Sequence, residues 1–168
     1  MTSYVSLNFR TAAYAQETGE VLIALLTIDH PSLEEPIRIS TDPTERLSEG
    51  EQIVYGTKSN TKEFIFFPVR LKLPDDTDEG PRNMQIELDN IHRQYIQTIR
   101  EIVGPPTMQV DIVLSSDPDT IETSWPEFLM RNIKYNAFII SATLDMETLE
   151  REPFPAGSFD PSRFRGLF

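Results

Sequence analysis

The stretch from Asn83 to Ser115 constrains the fold most, because its hydrophobic period changes twice. In its first and last parts apolar and polar residues alternate, which is the period of a β-strand with one buried face. The alternating apolar residues are Met84, Ile86 and Leu88, then Met108, Val110, Ile112 and Leu114. Between them the apolar residues recur at helical spacing, and Gly104 followed by two prolines ends the helix. The stretch therefore predicts strand, helix and strand, with the helix lying on a sheet.

The predicted helix, at about 91–103, has two distinct faces. At about 100° per residue its apolar side chains fall within an arc of roughly 140°. They are Ile91, Tyr95, Ile96, Ile99, Ile102 and Val103. We expect this arc to be buried within the subunit, whereas Arg93, Gln97 and Arg100 face outward. If those three residues are buried against another chain instead, the helix is also part of an assembly surface.

The other periodic segments are mostly predicted strands. Glu20–Asp29 is apolar at odd and even positions, which predicts a central strand covered on both faces. Shorter strands are predicted at Pro36–Ser40 and around Ile53–Tyr55. Lys62–Leu73 is the most β-prone segment, and Pro68 predicts that this strand is bent, bulged or at a sheet edge.

Three further features complete the predicted domain. Phe128–Asp145 alternates on both sides of Asn136, which predicts a late hairpin or one long bent strand. Ser3–Gln16 predicts a short N-terminal helix that needs a surface to dock on. Thr44–Gln52 and residues 116–127 are predicted connections. We expect a single mainly-β domain over residues 1–147, a sandwich or barrel with one packed helix.

The C-terminal segment, residues 148–168, has no regular period but is rich in aromatic residues. Prolines and glycines separate its four phenylalanines, Phe154, Phe159, Phe164 and Phe168. Such a segment cannot form a core of its own, yet it carries enough aromatic surface to pack against something else. We expect an extended arm that docks on its own domain or lies across a neighbouring subunit.

Composition limits the classes of protein to which the chain can belong. Its 168 residues suffice for one well-buried core, and 27 acidic against 15 basic residues give a formal charge of −12. This charge repels nucleic acid and anionic membranes at long range, so sequence-specific nucleic-acid binding is not expected. There is no cysteine, and no apolar run approaches the length of a membrane span. We expect a soluble protein without membrane insertion.

No pattern of metal ligands or catalytic residues stands out. The acidic turn 75–79 begins with the spacing of a calcium loop, but Pro81 stands where that loop needs glycine. Neither histidine belongs to a zinc motif: His92 is typical of a satisfied core residue and His30 of a turn. Trp125, the single tryptophan, is predicted to be a core anchor. We therefore expect no catalytic residues, no cofactor and no metal ion.

Three sequence segments resemble a family of bacteriophage-encoded proteins of unassigned activity. They are the helix IELDNIHRQYIQTIREI, the strand and turn VRLKLPDDTDEG before it, and the ending SRFRGLF. Genes of this family typically lie among the tail-tip genes of phages with long flexible tails. The resemblance covers most of the chain, including the early TIDHP segment, although Arg165 stands where the family ending has proline. Its motifs are structural rather than chemical.

The resemblance implies a structural component of a phage tail tip or baseplate, in the distal-tail or hub region. Tail-tube-type and hub domains are sandwiches or barrels flanked by one helix, and their strands join those of neighbouring subunits into a ring. The implied partners are further copies of the chain and other tail proteins, namely the distal tail, hub or central fibre, and tail tube. The implied location is the virion tail, after folding in the bacterial host cytoplasm.

Two other functions stay open beside tail assembly. A receptor- or glycan-binding module of the tail would use an exposed Trp125 or Tyr135. A hydrolase acting on the cell envelope is the less favoured alternative, and it would need paired acids such as Glu87, Asp89 and Asp111. For assembly, the predicted interface residues are Phe154, Phe159, Phe164, Phe168, Arg93, Gln97 and Arg100.

Overall fold

The computed structural model describes residues 5–48, 53–72, 83–89, 104–136 and 139–146. These ranges contain one short helix and ten strands, which is the mainly-β fold that the alternating patterns predict. The elements are α1 (Leu7–Tyr14), β1 (Leu22–Asp29), β2 (Ile37–Ser40), β3 (Glu45–Arg46), β4 (Tyr55–Ser59), β5 (Lys62–Phe66), β6 (Val69–Lys72), β7 (Asn83–Asp89), β8 (Thr107–Leu114), β9 (Asp117–Tyr135) and β10 (Ile139–Met146).

All ten strands belong to one sheet, in the order β3-β4-β5-β2-β1-β8-β9-β10-β7-β6. Every neighbouring pair is antiparallel except β2 and β5, which run parallel. At the turn between β9 and β10, the Asn136 N–H donates to the Ile139 carbonyl, and the Asn136 Oδ1 accepts from the Ile139 N–H at 2.7 Å. The late hairpin predicted around Asn136 is therefore confirmed.

The segment from Lys62 to Lys72 closes the sheet into a barrel. Its first half, β5, is third from one end of the sheet, and its second half, β6, is the last strand at the other end. Between the halves, the Phe67 N–H donates to the Ser40 carbonyl of β2, and the Pro68 carbonyl accepts from the Asp89 N–H of β7. Because one short segment bonds to both β2 and β7, the strands between them curl round to meet it. The bend predicted at Pro68 is confirmed.

The main hydrophobic core fills the barrel. Successive residues of a strand point to opposite faces, so alternate residues of the barrel strands point inward. The buried core residues are Leu26, Ile28, Ile39, Phe67, Met84, Ile86, Leu88, Met108, Val110, Phe128, Met130, Ile140, Ala142 and Leu144. Trp125 is partly buried and packs against this core, in agreement with its predicted role as a core anchor.

A second, smaller core lies outside the barrel wall. It contains Ile23 and Leu25 of β1, Val113 of β8 and Phe64 of β5. Ile23 and Leu25 point away from the main core because they alternate with its members along β1. The β4–β5 hairpin therefore covers this outer face, and β1 is buried on both sides, as its apolar residues at both parities predict.

Register shifts interrupt the pairing of the long strand β9 at four places, three opposite β8 and one opposite β10. The one between Trp125 and Phe128, here called the first bulge, adds one residue opposite β8, and Glu127 in it has a φ of 59°. Opposite β10, β9 again has one extra residue, close to Asn132, whose φ is 53°. Bulges increase the bend and twist of a strand. One 19-residue strand can therefore follow β8 with its first part and β10 with its second.

Several sequence predictions differ from the observed elements. The prediction of a loop at 116–127 is wrong, because β9 begins at Asp117. The strand tolerates Pro126 because this residue lies in the first bulge, where it is not paired with β8 and its missing N–H costs no ladder bond. The weak strand predicted around Ile53–Tyr55 begins at Tyr55 and runs to Ser59. The connection predicted at 44–52 contains the two-residue strand β3. The N-terminal helix is shorter than predicted, and Ser6 caps it.

Some predictions fall outside the described ranges. These are the helix at about 91–103, the arm at 148–168 and the boundary at 147 between the domain and the arm. They stay predictions.

Gly56 provides a test of how β4 packs on β5. A Cβ at this position would lie 1.9 Å from the Phe64 carbonyl oxygen and 2.7 Å from the Leu47 Cδ1. We expect Gly56→Ala to lower the free energy of unfolding by about 2–3 kcal/mol, since the strands must separate to relieve the clash. Urea denaturation measures the effect. The matched control is Gly19→Ala, which meets nothing within 4 Å; equal effects for both substitutions would contradict the packing described.

Glu127 provides a test of the first bulge. A left-handed conformation costs a residue with a side chain about 1–2 kcal/mol, whereas glycine adopts it freely. We therefore expect Glu127→Gly to leave the free energy of unfolding unchanged or to raise it by up to about 1 kcal/mol. The matched substitution, Glu87→Gly on the exposed face of β7, should instead lower it by about 0.5–1 kcal/mol. If both substitutions destabilise equally, Glu127 is not left-handed in solution.

Candidate functional site

A groove opens where the two parallel strands diverge. β2 and β5 are paired only at Ile39↔Ile65 and Ser40↔Phe66, although both strands begin earlier in the chain. Toward their first residues the strands separate, and the space between them has a volume of about 630 Å³. This volume is within the range typical of ligand sites, so we treat the β2–β5 groove as the candidate site.

The groove has an apolar floor and a charged rim. The apolar residues that line it are Pro36, Ile37, Ile65 and Phe67, and the polar ones are Glu35, Arg38, Thr61, Lys62 and Glu63. Phe67 is buried, Ile37 and Ile65 are half-buried, and the charged residues of β5 are exposed. An amphipathic ligand therefore finds both a surface to bury and charges to pair with.

The two cations of the groove are available to a ligand. Glu63 lies 3.6 Å from Lys58, and this pair is about half exposed, so it contributes little to stability. Within the described ranges, Arg38 and Lys62 have no carboxylate within 4.0 Å. Because no described carboxylate pairs with them, these two groups can bind the carboxylates of a ligand, beside the rim acids Glu35 and Glu63.

A tight turn holds the β5 wall of the groove in place. Asn60 and Thr61, between β4 and β5, have φ angles of 45° and 67°, as in the two-residue turns that suit β-hairpins. Across to β9, the Asn60 N–H donates to the Asp119 Oδ1 at 2.6 Å, and the Asn60 Nδ2 donates to the Asp119 carbonyl at 2.9 Å. The start of β5 is thus tied to β9.

Buried hydroxyl groups hold the closed end of the groove. The Ser40 Oγ lies 2.8 Å from the Thr57 Oγ1, which lies 2.8 Å from the Thr44 Oγ1. Ser40 and Thr57 also donate to the Asp42 carbonyl, at 3.0 and 3.2 Å. These bonds join the end of β2 to β4. They satisfy buried hydroxyl groups that would otherwise be costly, so the cluster is structural.

The acids named for a hydrolase do not converge. Glu87 and Asp89 lie on β7 and Asp111 lies on β8, with β9 and β10 between them. Asp111 is level with Ser124 of β9, whereas Glu87 is level, through β10, with Lys134. Those positions are ten residues apart along β9, or about 33 Å of extended strand. Paired acids of glycosidases stand only about 5–9.5 Å apart.

The contacts of Asp111 indicate a structural role instead of a catalytic one. It is buried, and its carboxylate accepts from the Gln109 Nε2 at 2.9 and 3.1 Å and from the Ser124 Oγ at 2.5 Å. His30 likewise serves a turn, since its Nδ1 accepts from the Ser32 N–H at 3.1 Å. Asp117, the first residue of β9, accepts from the Thr120 hydroxyl at 2.8 Å.

The predicted interface residues all lie outside the described ranges. They are Phe154, Phe159, Phe164, Phe168, Arg93, Gln97 and Arg100, and His92 and the acidic turn 75–79 lie outside them as well. Within the described ranges no group of three or more histidine or acidic side chains is placed to hold a metal ion. No helix in those ranges has the length and apolar character needed to cross a bilayer.

Sequence patterns gave no sign of the β2–β5 groove. Its walls are two segments, Pro36–Ser40 and Lys62–Leu73, and the hydrophobic pattern of each predicts a strand. That pattern does not indicate that the two strands pair in parallel. The Asn60-Thr61 pair between two β-prone segments was the available signal, because asparagine is favoured in left-handed turns. It locates the hairpin but not the partner of β5.

The comparison with protein families finds a match that spans the candidate site. The family is described as "Domain of unknown function (DUF1833)", and its model matches residues 8–159. The matched range includes every described strand, both walls of the groove and the first two phenylalanines of the arm, Phe154 and Phe159. No curated protein matches the chain.

Asp119 provides a test of the groove wall. We expect Asp119→Ala to lower the free energy of unfolding by about 0.5–1.5 kcal/mol, because the exposed Asn60 N–H exchanges its charged acceptor on β9 for water. Asp117→Ala is the matched control at the start of β9: it removes an exposed bond to the Thr120 hydroxyl three residues away and should cost less than about 0.5 kcal/mol. Chemical denaturation measures both. Equal losses would show that the Asn60–Asp119 bond does not hold the hairpin.

Proposed function

This chain belongs to the DUF1833 family, a domain of unknown function, and we propose that it is a structural component of a phage tail tip or baseplate. In this role it assembles with further copies and with distal-tail, hub, central-fibre or tail-tube proteins around the DNA channel, in the virion tail. The resemblance to tail-tip proteins motivates the proposal, and the mainly-β fold is compatible with it. The observation that carries it is the distribution of exposed apolar side chains.

Exposed apolar residues are concentrated at strand starts and on α1. Val21 and Leu22 at the start of β1 are 48% and 57% exposed, and Ile121 of β9 is 45% exposed. Val21 and Ile121 flank the outer core, since Val21 precedes Ile23 and Ile121 is paired with Val113. Val21 and Ile121 thus lie on one face, whereas Leu22 points to the other face of β1, and adjoining exposed apolar side chains mark surfaces that bind other proteins.

The helix α1 is attached to this surface but contains no fully buried residue. The Ser6 N–H and hydroxyl donate to the two carboxylate oxygens of the buried Glu122, at 2.7 and 2.5 Å, and Ser6 also caps the helix. Leu7 and Tyr14, at its two ends, are 78% and 90% exposed. An eight-residue helix is not stable by itself in water. A partner that covers α1 would supply the burial that it lacks, as expected in an assembly.

The net charge suits a wall around a DNA channel. With a formal charge of −12, the chain repels the phosphate backbone, so DNA would slide past without adhering. The same charge opposes contact between copies, so each interface must bury enough apolar surface to exceed this repulsion.

The two alternatives receive less support. Trp125, named for glycan binding, is partly buried and packs against the main core. The acids named for an envelope hydrolase lie on strands that β9 and β10 separate. We therefore retain the assembly role as the proposal.

The test of this proposal is association in solution. We expect light scattering to detect oligomers of the full chain, or complexes when it is mixed with the proteins encoded by neighbouring tail genes. Leu22→Asp and Ile121→Asp should weaken association at least tenfold each, since burying one such side chain is worth about 1.5–3 kcal/mol. Gln85→Asp adds the same charge at an exposed site on β7 and is the control. Deletion of residues 153–168 should also impair assembly.

A parent chain that stays monomeric and binds none of the tail proteins would overturn the proposal. So would association that Gln85→Asp weakens as much as Leu22→Asp does, because the effect would then come from charge alone.

A further inference from the structure

The β2–β5 groove has the features of a site for an extended peptide. The edges of two diverging strands form its walls, apolar side chains form its floor, and Arg38 and Lys62 stand at its rim. An extended chain in such a groove gains main-chain hydrogen bonds, and its side chains provide the specificity. This groove favours aromatic side chains for the floor and carboxylates for the two cations.

One segment of this chain has that composition. In the run 152–160, Phe154 follows Glu152 by two residues and Phe159 directly precedes Asp160. Prolines stand before and after Phe154 and directly after Asp160, and a residue before proline prefers an extended conformation. We propose that the β2–β5 groove binds the 152–160 segment of a neighbouring copy, with Phe154 or Phe159 on the floor and an adjacent carboxylate at Arg38 or Lys62.

The geometry of the barrel bears on which copy provides the segment. Met146, at the end of β10, is paired with Phe128, which is paired with Met108; Met108 is paired with Ile28, which is paired with Ile37 in the groove. By this route four strand intervals separate the end of β10 from β2, and by the other route, through β7, two intervals separate β10 from the segment that contains β5 and β6.

A neighbouring copy avoids a return path over the same barrel. To reach its own groove, the segment would have to fold back across the end of its barrel or pass round the wall over at least two strand intervals. In an assembly it can continue away from β10, and the residues from 147 to 160 extend up to about 45 Å when fully stretched. The choice of a neighbour over the same chain rests on the proposed assembly function.

Disulfide trapping tests the contact on the full chain, because the sequence has no cysteine of its own. One sample carries Glu35→Cys in the groove and another carries Ser158→Cys beside Phe159. After mixing and mild oxidation, we expect a covalent heterodimer at least tenfold above the yield with Gln85→Cys in place of Glu35→Cys. Adding Arg38→Glu and Lys62→Glu to the groove variant, or Phe154→Ser and Phe159→Ser to the segment variant, should reduce the yield at least fivefold.

Several outcomes would overturn the inference. One is a yield equal to that of the Gln85→Cys control, and another is a yield that the charge and phenylalanine substitutions leave unchanged. A chain carrying both cysteines that forms only an internal disulfide, even at high concentration, would overturn the assignment to a neighbour. Thermal unfolding of each variant is the control for folding. A variant that unfolds at the parent's temperature has kept its structure, so its loss of trapping reports on the contact itself.

Light scattering on the same samples separates this inference from the proposed function. Oligomers with background trapping would mean that the chain assembles through other surfaces, so the groove inference alone is wrong. A monomeric chain that binds no tail protein would refute the assembly role itself.

Discussion

The barrel depends on the segment from Lys62 to Lys72, which bonds to β2 at its middle and then pairs with β7. At Phe67 its backbone is still bonded to Ser40, and at Pro68 it is already bonded to Asp89. Proline has no N–H to donate, so the change of partner takes place where one ladder bond is missing in any case. Because this switch joins distant parts of the sheet, it forces β2, β1, β8, β9, β10 and β7 to curl round a common core.

Three other features follow from that closure. β9 must bend twice to stay paired with both neighbours, and it does so through bulges in which Glu127 and Asn132 are left-handed. β5 pairs with β2 in parallel and places Phe64 over the outer face of β1, which creates the second core. The parallel pairing ends after two residue pairs, so the groove forms where the strands diverge. The candidate site is thus a consequence of how the barrel closes.

Hydrophobic period predicted what depends on local sequence. It identified β1 as buried on both faces, β7 and β8 as strands with one buried face, the bend at Pro68 and the turn at Asn136. It failed where pairing with a neighbouring strand outweighs the local amino-acid composition. The first half of β9 is polar and contains two prolines, yet pairing with β8 makes it a strand. The groove was not predictable, because parallel pairing of β2 and β5 depends on the closure of the whole sheet rather than on either segment.

The edges of the sheet bear on how such a subunit can associate. β3 has two residues, and β6 has four that include Arg70 and Lys72. Short edge strands with positive charges are poor templates for adding a strand from another chain. The diverging strands at the groove differ, since they offer main-chain groups beside an apolar floor. In a protein of charge −12, association also needs contacts that overcome general repulsion, and the proposed contact of an acidic, aromatic segment with Arg38 and Lys62 would supply both attraction and burial. Association through the groove therefore fits the charge of this chain better than association between its edges.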